Sequence, residues 1–209
     1  MQQAYTPHVT LSDTIFPQKG LLRDLLLILG FSALVALSAQ ITIRLLPVPI
    51  TGQTFAVLLA GAALGRVRGT LVIAAYLAEG LAGLPVFAGG NSAWSLSPTG
   101  VPYIVGPTAG YLAGFLPAAF VTGWLAERGW DRSVLRWVGA MVAGNLIIYA
   151  FGVSVLGVYL GLARAFELGV QPFIPGDIIK IVLAALALPG AWRLVGDRSR
   201  ADDSDNPLP

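Results

Sequence analysis

The chain contains no cysteine and a single histidine, His8. Without thiols, disulfides, thiolate zinc sites, iron–sulfur clusters and thiol catalysis are excluded. One imidazole in a polar N-terminal stretch cannot build a histidine metal centre. Charge is the other scarcity: 11% of the 209 residues are Asp, Glu, Lys or Arg, against 56% hydrophobic, whereas soluble domains carry about 25% charged residues. A water-soluble fold would have nowhere to bury so much apolar surface, and a bilayer removes that difficulty. The phosphate-binding pattern GxxxxGK[ST] is also missing; the segment GPTAGY (106–111) lacks its Lys-Ser/Thr end. The chain therefore does not hydrolyse ATP by that route.

What remains is a set of long apolar runs. A spanning helix needs about 20 mostly apolar residues, and six candidates emerge: Leu21–Ile43, Thr51–Gly65, Gly69–Leu84, Pro107–Leu125, Leu135–Leu160 and Pro175–Leu194. Pro47 and Pro49 break the chain before the second, while Pro107 and Pro175 suit first helical turns. Arg66 and Arg68 interrupt what is otherwise one run between the second and third. The expected fold is an all-α, polytopic membrane protein of six helices (21–196). A polar arm (1–20), without the apolar core of a signal peptide, precedes it, and a flexible tail (197–209) follows. With both termini in the cytoplasm, the inner segments carry ten Lys or Arg residues and the outer loops only Arg44 and Arg164, the asymmetry that orients membrane proteins. Glycines recur every fourth residue at 61, 65 and 69 and at 106, 110 and 114, a spacing that lets helices approach closely in lipid.

Two features depart from a plain bundle. The segment Pro85–Val105 has no charge but holds Phe87, Trp94 and Tyr103. It is too long for an idle connection and too aromatic for disorder, so it reads as a folded lid over the outer mouth; an interfacial loop anchored by its aromatics is the other reading. The second feature is Asp177 and Lys180, three residues apart and so on one face of the last helix. Ionisable groups inside a spanning helix cost about 2.5–3.5 kcal/mol each and usually face a cavity. A carboxylate in a first turn paired with a nearby lysine is the bland explanation; a ligand site beneath the Gly/Pro-rich outer loops is the favoured one. Glu79 is either a site residue or a partner for Arg44 or Arg164.

The segments PVPITGQTFAVLLAGAALG (47–65), YLAEGLAGLPVFAGG (76–90), GPTAGYLAGF (106–115), GNLIIYAFG (144–152) and PFIPGDIIK (172–180) resemble, in order and spacing, the BioY family, the biotin-binding S component of energy-coupling factor (ECF) transporters. The resemblance implies a six-helix S-component fold in the bacterial cytoplasmic membrane that captures biotin from outside. It works with a transmembrane T component and cytoplasmic ATPase subunits, and needs no cofactor and no nucleic acid. It implies that Asp177 accepts from the ureido N–H groups, Lys180 donates to the ureido oxygen or the carboxylate, Asn91 binds the polar end, and Gln53 closes the site from the first outer loop. Trp94, Tyr111 and Tyr149 are candidate aromatic walls. Ser32 and Ala36 match the small-xxx-small face through which S components meet the T component. No Arg or Lys lies between Arg68 and Arg128, so the carboxylate falls to Lys180, Arg44, Arg164 or neutral donors such as Asn91 and loop N–H groups, with the neutral donors favoured. Two other classes remain: a membrane-embedded enzyme using Asp177 with Lys180 or Glu79, and a ligand-free structural subunit.

Overall fold

The computed structural model describes residues 9–18, 20–97 and 99–205; expectations that involve His8 or Lys19 lie outside it. A short helix α1 (Leu11–Ile15) precedes α2 (Leu21–Gln40). Strands β1 (Thr42–Ile43) and β2 (Ile50–Thr51) pair antiparallel, Ile43 opposite Ile50, and lead into α3 (Gln53–Leu81). After a long loop come α4 (Ala109–Ala126), α5 (Val134–Leu160), the short α6 (Leu162–Gly169) and α7 (Ile174–Asp205). Five stretches among the described residues are long and apolar enough to cross a membrane: α2, α3, α4, α5 and Leu162–Arg193.

α3 is not one rod. Gly65 has φ 82° and ψ 174°, a backbone that only glycine adopts without strain. In a straight helix Gly61 and Gly69 would stand about 12 Å apart. Here a Cβ on Gly69 would lie 2.6 Å from the Gly61 Cα. The chain therefore reverses at Gly65, and limbs 53–64 and 66–81 run back beside each other. The glycine stripe does two jobs, turning the chain and letting the limbs touch. On α4, Gly110 and Gly114 face the backbone of α5 around Phe151 and Ile148, the packing role expected of such spacing.

The core lies between α3, α4 and α5, with Tyr76, Phe87, Leu58, Ile73, Met141 and Trp137 fully buried; the Trp137 indole N–H donates to the Ala184 carbonyl on α7 at 3.0 Å. α2 is the opposite case. It buries only Ser32, Val35 and Ala39 and turns its leucines outward, as a helix solvated by lipid tails does.

Charge gathers at one end of the bundle. Arg68 pairs with Asp13 and Asp24, Arg23 with Asp13, and Arg66 with Glu127. Part of the N-terminal arm is therefore folded, contrary to the composition. Thr10 caps α1, and Asp13 ties it to α2 and α3. Burial alone would raise the Asp13 carboxyl, but hydrogen bonds from Thr10, Arg68 and Arg23 outweigh it and hold the group below its ordinary value. A depressed carboxylate contributes stability above its unfolded value of about 3.9 and loses it as pH falls through the native value. Proteolysis between Val9 and Pro17 is accordingly expected to be slow at pH 7 and to quicken progressively as pH falls below about 3.9, and Asp13→Asn is expected to make it fast at pH 7. Equal cleavage across this range would remove the role of this pair. At the other terminus α7 continues to Asp205, through much of the stretch read as a flexible tail; the sequence offers no proline between Pro189 and Pro207 to stop it.

Candidate ligand-binding site

The end of the bundle away from the charge cluster is formed by the β1–β2 hairpin, the loop between α3 and α4, and the start of α7. The loop is folded. Phe87 plugs into the space beside Gly80 and packs on Tyr76 at 5.3 Å and Tyr103 at 5.8 Å. Short bridges Phe87–Asn91 and Leu96–Pro102 pin it, and Gly89 and Gly90 take φ near 70–76° to make the turn between them. Gln53 ties hairpin, helix and loop together. Its carbonyl accepts from the Thr51 hydroxyl at 3.0 Å, its amide donates to Tyr76, and the Tyr76 hydroxyl donates to the Val86 carbonyl at 3.2 Å.

Two neighbouring spaces lie beneath. The outer cavity, about 330 Å³, is lined by Arg44, Pro47 and Pro49 of the hairpin tip, by Asn91 and by Thr108, and falls in the size range of small-molecule sites. The inner pocket, about 40 Å³, has Gln53, Thr54, Tyr111, Tyr149, Phe173 and Lys180 on its walls. It is far smaller than a small-molecule site. Pro49, Tyr103 and Thr108 border both spaces.

At the floor, Lys180 donates to Asp177 Oδ1 at 2.9 Å and to Thr54 Oγ1 at 2.9 Å. The ammonium has three donors, so one N–H remains for the pocket. The Tyr149 hydroxyl donates to Asp177 Oδ2. A carboxylate offers about four acceptor positions, two of which are filled. Asp177 is 5% exposed and sits behind Lys180 and Tyr149, bordering a lateral crevice between α5 and α7 rather than the inner pocket. Tyr111 stacks on Phe173 at 6.1 Å and donates to the Gly169 carbonyl at 2.9 Å; Tyr149 meets the same Phe173 edge-on. The site therefore presents acceptors and donors side by side on an apolar, aromatic wall.

Of the residues singled out from the sequence, Lys180, Gln53, Tyr111 and Tyr149 come together at the inner pocket, Asp177 stands just behind it, and Asn91 lines the outer cavity. Trp94 does not join them. It is 60% exposed, and its indole N–H donates to the Leu81 carbonyl at the loop's outer surface. Ser32 is fully buried and donates to Glu79 at 2.8 Å, and Ala36 packs on the core. Neither is on the outward face of α2, and Glu79 braces that helix instead of lining the site. Sequence reasoning passed over Thr54 and Phe173, although Thr54 follows Gln53 directly and Phe173 stands two residues before the Pro175 that marks α7.

The BioY family model matches residues 6–197. A biotin transporter BioY from Thermotoga maritima is 45% identical over 157 residues, spanning 75% of this chain and 88% of that protein. One from Rhizobium etli is 39% identical over 176 residues, 78% of this chain and 90% of its own length. Among solved structures, the crystal structure at 2.1 Å of the S-component for biotin from an ECF-type ABC transporter matches with a TM-score of 0.68 at 26% identity, covering 82% of this chain and 92% of that one.

Proposed function

The chain belongs to the BioY family, and on that premise we propose that it is the biotin-binding S component of an ECF-type uptake transporter. It is a multi-pass membrane protein and not an enzyme; its relatives are transporters.

The observation that carries the reading is the floor of the inner pocket. A ureido group has two N–H donors and one strongly accepting oxygen. The free N–H of Lys180 suits the oxygen, and the two open positions on Asp177 suit the N–H groups. The Tyr149 hydroxyl sits on Oδ2 between the carboxylate and the pocket, so the head group reaches the two open positions as Tyr149 swings aside and the Tyr111–Phe173 stack parts. The thioether ring then rests on those aromatic faces. Asn91 and Gln53 support the loop and hairpin that close over it.

The charge cluster around Asp13, Arg23, Arg66 and Arg68 belongs in the cytoplasm by the positive-inside rule, with the site facing out and both termini inside a bacterial cytoplasmic membrane. The limbs of α3 count as two of six helices in this arrangement. Lacking a phosphate-binding loop, the chain depends on a T component and cytoplasmic ATPase subunits. The T component docks on the outward face of α2, where Leu22, Leu26, Gly30, Ala33 and Leu37 are exposed. The relatives give a membrane enzyme working through Asp177 and Lys180 no support; the pair is engaged by Thr54 and Tyr149.

Calorimetric titration of the detergent-purified protein with biotin tests the proposal. One molecule bound per chain, with no binding of thiamine or riboflavin, is the expected result. A monodisperse, folded sample that takes up no biotin would overturn it.

A further inference from the structure

The outer cavity holds a charge that the head-group chemistry leaves unused. Arg44 is the one charged residue on its wall, and it makes no ion pair or hydrogen bond with any described residue. It is the first residue beyond the paired Ile43–Ile50 rung, so its backbone is anchored while its guanidinium is free to turn inward. The other cations are committed. Lys180 is held by Asp177 and Thr54, and Arg164 pairs with Glu167 at 2.8 Å on α6, away from the cavity. The neutral alternative is partly engaged, since one N–H of the Asn91 amide donates to the Ala88 carbonyl at 2.7 Å.

A second observation points to the same place. The Thr108 hydroxyl is buried, on a residue 7% exposed, and has no partner at hydrogen-bonding geometry, although the Tyr103 phenol stands near it. Buried polar atoms are almost always satisfied, and a hydroxyl on a cavity wall with spare capacity is open to a ligand atom or to water. Thr108 borders both spaces.

We propose that Arg44 and Thr108 form a carboxylate subsite in the outer cavity, so that the ligand lies with its polar head on Lys180 and Asp177 and its acid tail toward the hairpin tip. The alkyl chain between them passes Pro49 and Tyr103. A planar guanidinium matches a carboxylate with two parallel bonds, which a neutral tail cannot repay. The subsite rests on the biotin reading, and it departs from the expectation that neutral donors hold the tail.

The test titrates biotin and its primary carboxamide against the wild type, Arg44→Gln, Arg44→Lys and Thr108→Val. The wild type is expected to prefer the acid by about tenfold to a hundredfold, the span for hydrogen bonds to a charged group. Arg44→Gln is expected to erase that preference by weakening the acid alone. Arg44→Lys should retain part of it, and Thr108→Val should weaken the acid more than the amide. If the wild type binds biotin and Arg44→Gln keeps the full preference, the subsite is wrong while the biotin reading stands. If the wild type binds neither compound, both fall. Because the wild-type comparison needs no variant, equal binding of acid and amide there also overturns the subsite.

Discussion

Biotin binding is expected to fall by roughly thirtyfold to several-thousandfold in Asp177→Ala, the range for truncating one member of a buried, hydrogen-bonded charge pair. The loss has two sources. The ligand's N–H groups lose their acceptor, and Lys180 loses the carboxylate at 2.9 Å that offsets its charge. Lys180 is then left with Thr54 alone in a pocket whose other walls are largely aromatic and aliphatic. Stability suffers as well, by about 3–5 kcal/mol when one partner of a buried pair is removed. The double variant Asp177→Ala/Lys180→Met separates the two effects. Replacing both charges by apolar groups is often neutral for stability, so the double variant is expected to recover most of the thermal stability while binding stays weakened at least as much as in the single variant. A double variant that binds biotin like the wild type would reduce the pair to a structural brace. Calorimetry on single and double variants, with a melting curve for each, gives all the quantities required.

The sequence made this pair visible because ionisable residues are rare in an apolar run, and i, i+3 spacing puts them on one face. It could not reveal that Tyr149 stands between Asp177 and the pocket, since that depends on how α5 rotates against α7. Gln53 was legible through the family resemblance alone, and Tyr111 only as one of several candidate aromatic walls. Trp94 misled because an aromatic in an uncharged loop reads the same whether it points down into a cavity or lies on the rim. Ser32 and Ala36 misled in the opposite sense. Their spacing is correct for a docking face, but on a helix that buries a single narrow stripe the same spacing also describes the inner seam, and the Glu79 carboxylate decides between them. In the sequence nothing separates Arg44 from Arg164, the other outer-loop arginine. Only the pairing of β1 with β2 shows that its backbone is held over the cavity.

The fold should be least forgiving where α4 meets the reversal in α3. A Cβ on Gly123 would lie 2.5 Å from the Arg66 nitrogen and 2.6 Å from the Gly65 carbonyl carbon. These are backbone atoms fixed by the turn itself, so neither can give way by changing rotamer. On the other limb, a Cβ on Gly61 would strike the Ala119 carbonyl oxygen, and Gly65 cannot take another residue without strain at φ 82°. Gly123→Leu therefore has to part α4 from α3, the most extensive helix contact in the molecule. Overpacking a core costs about 1–3 kcal/mol, with larger values where the backbone must move. At the upper figure the melting temperature drops by roughly 6–12 °C for a chain of this size. Gly30→Leu is the control, because nothing lies within 4 Å of its Cβ position and its face of α2 is exposed; its melting temperature and biotin affinity in the isolated protein are expected to match the wild type. If Gly123→Leu melts with the wild type, α4 does not pack on the turn as described. If Gly30→Leu destabilises the isolated chain, that face of α2 is part of the core and cannot be where a membrane partner docks.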